Sequence, residues 1–119
     1  FYDSYEDLII KIKSHLSKTG SISIWSGFSN SEYDVFVSYS KDGANHPGLN
    51  MFSLPRLIGF LEENNLAVEV NQFIPTVPLQ KDPLNPLVSY TLLDDNNCYA
   101  IVNGLNIVRD FYHLIVTNK

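Results

Sequence analysis

At 119 residues, with 45% hydrophobic and 18% charged side chains, the chain has the size and composition of one globular domain and lies far from the disordered class. Thirteen acidic residues against eight basic ones give a formal net charge of −5, which repels phosphate backbones and argues against nucleic acid as a partner. The single cysteine, Cys98, excludes an intramolecular disulfide and a cysteine-based zinc site.

No apolar run approaches the roughly 18 residues of a membrane span, so no membrane partner is expected. One cysteine and no recognisable signal segment point to an intracellular, cytoplasmic setting. The sequence opens with Phe1 rather than Met, so the expectation includes an accessory domain cut from a larger protein.

The first element reads as a helix. Ser4 and Asp7 form a capping-box-like start, Tyr5, Leu8, Ile9, Ile12 and Leu16 recur at helical spacing, and Gly20 suits a left-handed stop. "SISIW" (21–25) alternates as a strand does, and "EYDVFVSY" follows a polar turn as a second strand, with Tyr33, Val35, Val37 and Tyr39 on one face. These two strands are expected to form a hairpin. "SKDGANHPGLN" (40–50) is dense in Gly, Pro, Asn and Asp and reads as an exposed loop.

A second helix is expected from Ser53, with Pro55 tolerated in its first turn and Leu54, Leu57, Ile58 and Leu61 as its buried stripe. "LAVEV" is a short strand. The prolines from Pro75 to Pro86 forbid a helix or a central strand there, while Phe73, Ile74, Val77 and Leu79 are expected to anchor the segment. "LVSYTLL" and "CYAIVN" flank the turn "DDNN" as a second hairpin. Residues 105–117 read as a final helix with Leu105, Val108, Tyr112 and Ile115 inward. The order α-β-β-α-β-β-β-α is not a regular βαβ alternation. The expected fold is therefore a single α+β domain over residues 1–119, a mostly antiparallel sheet with helices packed on one face.

Two stretches resemble known families. "EYDVFVSYSKDG" (32–43) is similar to the first strand of TIR domains, and the likeness runs through "FSLPRLIGFLEENN" and "LAVEV" to Val70. That resemblance implies an alternating parallel fold and NAD-directed activity, with a catalytic Glu on a later helix whose nearest counterpart is Asp110. The chain ends too soon for that alternation, and its proline-rich stretch interrupts it. "DNNCY" (95–99) resembles the nucleophile segment of coronavirus papain-like proteases. A Cys98 thiolate would need a histidine base, and only His113 follows, far closer than such a partner lies. Cys98 reads instead as a small, buried core residue.

His15, His46 and His113 are widely separated and show no ligand spacing, so no metal or other cofactor is expected. His46, with Asp42 nearby on the 40–50 loop, is where a small hydrolytic or NAD-directed enzyme would be built. Trp25, alternating with Ser21 and Ser23, is a hot-spot candidate for a protein contact, and Tyr39 is a second aromatic anchor. Glu62 and Glu63, and Asp94 and Asp95, are acidic pairs suited to steering a basic protein. The leading expectation is a small acidic protein-binding module, similar in size and charge to bacterial immunity proteins and secretion chaperones. An enzyme is the alternative.

Overall fold

A computed structural model describes residues 4–103 and 107–119, with Pro47 described for its backbone alone. In chain order the elements are α1 (Glu6–His15), β1 (Ser21–Ser29), β2 (Val35–Lys41), β3 (Ala44–Ser53), α2 (Leu54–Glu63), β4 (Leu66–Phe73), β5 (Ser89–Leu93), β6 (Tyr99–Asn103) and β7 (Asp110–Asn118). Five strands form one sheet in the order β2-β3-β1-β7-β4, and β5-β6 form a separate ribbon. Every pairing is antiparallel except β1 with β3. The α+β class with both helices on one sheet face is what the sequence led us to expect.

The core explains that layering. Ile9 of α1 and Leu54, Leu57 and Leu61 of α2 meet Phe28, Leu66, Tyr112, Leu114 and Val116 of the sheet in one buried cluster. Leu61, Leu66, Leu114 and Val116 are essentially inaccessible. Burial of each side chain of this kind contributes on the order of 1.5–3 kcal/mol.

Helix α2 starts as its sequence dictates. The Ser53 hydroxyl accepts from the Arg56 amide at 3.2 Å, and Pro55 occupies a position whose amide has no helical partner in any case. Its end is closed by Asn64, whose side chain donates to the Phe60 carbonyl, and by Asn65 at φ +57. The Lys13 ammonium of α1 also donates to the Asn64 carbonyl, tying the two helices together. At the start of α1 it is Glu6, not Asp7, that reaches back, accepting from the Ser4 hydroxyl and the Tyr5 amide. These bonds, the serine first, hold the Glu6 carboxyl below its ordinary range. Gly20 is no helix stop, because α1 has already ended at His15 and Leu16 is extended.

Four expectations are corrected. Residues 110–118 are a strand, not a helix. β7 lies between β1 and β4 and pairs along its length with both; Leu105 lies outside the described residues. The 40–50 stretch is no loop, because Asp42 (φ +53) and Gly43 (φ +78) make the two-residue turn of the β2–β3 hairpin. β1 and β2 are not hydrogen-bonded neighbours, since β3 lies between them. The element order is therefore α-β-β-β-α-β-β-β-β.

Residues 74–88 carry no strand or helix. They are held by a buried Pro75 and by Leu79, whose amide donates to the Thr91 hydroxyl and whose carbonyl accepts from the Thr91 amide. Ile74, Val77 and Leu79, expected as apolar anchors, are exposed. No helix among the described residues is long and apolar enough to cross a membrane.

Candidate functional site: an aromatic sheet face beside an open strand edge

Strand alternation sorts the five-stranded sheet into two faces. Ile22, Ile24 and Phe28 of β1 lie on the side of the helices, with Leu114 and Val116 of β7. The other side carries Ser21, Ser23, Trp25 and Gly27 from β1, Phe111, His113 and Ile115 from β7, and Asn71 and Phe73 from β4, as the register requires. Neither helix covers this side.

Trp25 is 56% exposed at the centre of an aromatic cluster. Its ring centroid lies 5.3 Å from Phe73 in an edge-to-face contact, 6.4 Å from Phe111 in a stacked one, and 6.2 Å from the His113 ring. His113 Nε2 and Ser23 Oγ are 2.8 Å apart and share a hydrogen bond. The Arg109 guanidinium lies over Phe111, 4.7 Å from its centroid, a cation–π contact. Such a cluster presents a rigid, amphipathic surface with few rotamers to lose on binding, the property that enriches aromatic residues among interface anchors.

A cleft of about 650 Å³ adjoins this face, between the β2–β3 hairpin, β1 and β6. Tyr39 and His46 face each other across the hairpin and both line it, with Ser26, Asn103 and Arg109. The Tyr39 hydroxyl accepts from Asn103 Nδ2 at 3.0 Å. Among the described residues Arg109 Nε is buried with no hydrogen-bond partner. Gly48 shapes the hairpin. A Cβ there would lie 2.5 Å from the Val37 carbonyl oxygen and 2.8 Å from the Tyr39 ring, and the pairing register shifts at this point.

The residues singled out from sequence are thus only partly brought together. Trp25 faces outward with Ser21 and Ser23, and Tyr39 and His46 share the cleft. Asp42 sits in the hairpin turn, separated from Tyr39–His46 by the pairs Ser40–Asn45 and Lys41–Ala44, and no hydrogen bond links it to His46 among the described residues. Glu62 and Glu63 are exposed at the end of α2, and Asp94 and Asp95 are exposed in the β5–β6 turn. None of the four lines the aromatic face or the cleft. Asp94 also has a structural task, its carboxylate accepting from the amides of Asn96 and Cys98 at 2.8 and 2.9 Å. Cys98 is half-buried in that turn, ahead of β6 rather than inside it, so the expected core cysteine is corrected.

Phe111, Asn103 and Arg109 were not singled out from sequence, and Phe73, Ser23 and His113 were named there for other reasons, as a segment anchor, a neighbour of Trp25 and a possible base for Cys98. Phe111 and His113 were signalled by the alternation of "FYHLIVT", which reads as a strand once its helical spacing is set aside. Chemically, the Ser23–His113 pair resembles half of a nucleophile–base arrangement. Among the described residues no third group is hydrogen-bonded to the other imidazole nitrogen, and no group of three His, Cys, Asp or Glu side chains converges as a metal site would require. Compared with known proteins, the chain matches no family model, no curated protein and no solved structure.

Proposed function

We propose that this chain is a protein-binding module that docks a partner protein on the open face of its sheet. The observation that carries the reading is Trp25, more than half exposed yet fixed by Phe73, Phe111 and His113 on a face no helix covers. An isolated exposed tryptophan has many ordinary explanations, but a pre-ordered aromatic group loses little conformational entropy when covered. The net charge of −5 favours a partner with a basic surface by long-range steering. Small acidic inhibitors and adaptors, of the kind represented by immunity proteins and secretion chaperones, are the roles compatible with this size and charge.

The test is capture of partners from the organism that makes the protein, comparing the native chain with Trp25→Ala and Phe73→Ala variants shown to be folded. A partner retained by the native chain and lost by both variants supports the reading. A partner captured equally by all three sinks it.

A further inference from the structure

β1 is paired along its whole length on one side only. β7 runs beside it from Ser21 to Phe28, whereas β3 meets it at Phe28 and Ser29 alone. Beyond that point β3 diverges, and the sequence gives the reason. Pro47 has no amide to donate, proline is confined to edges and bulges, and the register shift at Gly48 bends the strand away. Among the described residues the backbone of Ser21–Trp25 makes no hydrogen bond besides the ladder to β7. Half of the amides and carbonyls of that stretch therefore point into open space.

A groove follows this free edge. Near Ser21 it lies against Leu8, Lys11, Ile12 and His15 of α1, where it holds about 560 Å³. It continues past Ile22, Ile24 and Trp25 over the apolar wall of Leu8, Ile12 and Phe52, about 380 Å³. At Ser26 and Phe52 it opens into the cleft that holds Tyr39, His46 and Arg109. Tyrosines aside, the ionisable side chains lining the three stretches are Lys11, His15, His46 and Arg109, all of them basic.

We propose that the β1 edge is a strand-addition site, and that its occupant is an extended segment of a partner protein. That segment carries apolar residues at alternate positions against α1 and an acidic residue at one or both ends. The unpaired strand backbone selects an extended main chain, the apolar wall selects the alternation, and the four basic groups at the two ends select carboxylates. This deepens the protein-binding reading and shares its premise, but it uses the edge of the sheet rather than the face.

Random peptides displayed on phage are selected on the intact protein, and the enriched sequences are resynthesised. Enrichment of alternating apolar residues with terminal Asp or Glu is expected. N-methylation of one alternate set of peptide amides should weaken binding by about tenfold or more, since several backbone bonds are lost together, while the other set is tolerated. Leu8→Glu, at an exposed position on the groove wall, should abolish binding, and Val77→Ala, exposed and lining none of the three stretches, should leave it unchanged. Failure to enrich any peptide, equal tolerance of both methylated sets, or normal binding by the Leu8→Glu variant would each overturn the proposal. So would a dimer in solution whose β1 amides resist hydrogen exchange without peptide, which would mean that a second copy takes the edge. If peptide binding fails while Phe73→Ala still loses a captured partner, the strand site falls and the face reading stands.

Discussion

Replacing Asp34 with alanine should cost about 2–3 kcal/mol, most of it through one hydrogen bond rather than through the ion pair beside it. Asp34 Oδ1 accepts from the Ser53 amide at 2.7 Å, and Oδ2 lies 3.2 Å from Arg56 Nη1. Ser53 is fully buried where β3 hands over to α2. Its amide would be left without a partner, a loss of about 1–3 kcal/mol, and the helix start would lose a negative charge worth about 0.3–1 kcal/mol. The ion pair is weaker. The Arg56 side chain is 50% exposed, and exposed pairs of this kind contribute only about 0.2–1 kcal/mol.

Three variants separate these effects in urea unfolding at a shared slope. Arg56→Ala should cost less than about 1 kcal/mol, and the coupling between positions 34 and 56 should stay in the same range. Asp34→Asn, which keeps an acceptor for the amide, should lose only about 1 kcal/mol. If Arg56→Ala costs as much as Asp34→Ala, or if asparagine is no better than alanine, the hydrogen bond is not the dominant contribution and the reasoning is refuted. Ser53 also pairs with Ser29, next to the Phe28–Phe52 pair beyond which β3 departs from β1.

Three further outcomes follow from the geometry. Leu114→Ala, on the interior strand β7 and inaccessible to solvent, should destabilise by about 2–5 kcal/mol in the same unfolding assay. Gly48→Ala must displace the Val37 carbonyl or the Tyr39 ring, costing about 1–3 kcal/mol, and spectra should show the Asn103 side-chain amide losing its Tyr39 contact. The Tyr5 phenol is held above its ordinary value of 10.0, first by burial and then by the Glu6 carboxylate. Its contribution to stability is complete below about pH 10 and disappears as pH rises through the raised value, so Tyr5→Phe should flatten the alkaline limb of stability against pH.

Helix α2 was legible because independent signals agree on it: a Ser cap, a Pro in the first turn, and leucines at 54, 57 and 61. β7 was not, because its residues satisfy two periods at once. Val108, Tyr112 and Ile115 fit a helical face, while Tyr112, Leu114 and Val116 alternate with Phe111, His113 and Ile115 as a strand does. What decides between them is tertiary. Two unpaired strand edges, β1 and β4, accept this segment along its full length, and no local signal encodes that. The Asp42–Gly43 turn was in plain view, but the surrounding Asn, Pro and Gly residues outweighed it and the hairpin read as a loop.

The candidate site was legible in its anchor and not in its surroundings, because its parts come from strands far apart in the chain. Trp25 stands out locally through its alternation with Ser21 and Ser23, whereas Phe73, Phe111 and His113 reach it only through the order β1-β7-β4. Charge divides in the same way. The net charge of −5 acts through space and is screened beyond about 8 Å at physiological ionic strength, so on the proposed reading it would set how fast a basic partner arrives. The groove along β1 is lined by basic groups, and those act only on contact. Binding at the β1 edge should therefore show opposed salt effects, with a slower approach for a basic partner and faster release of an acidic-ended segment. Charge reversal at Glu62 and Glu63, outside both the face and the groove, should change the first without touching the second. Stopped-flow association and dissociation rates across a salt series would separate them, and a Glu62→Lys, Glu63→Lys variant that altered release would contradict this division of roles.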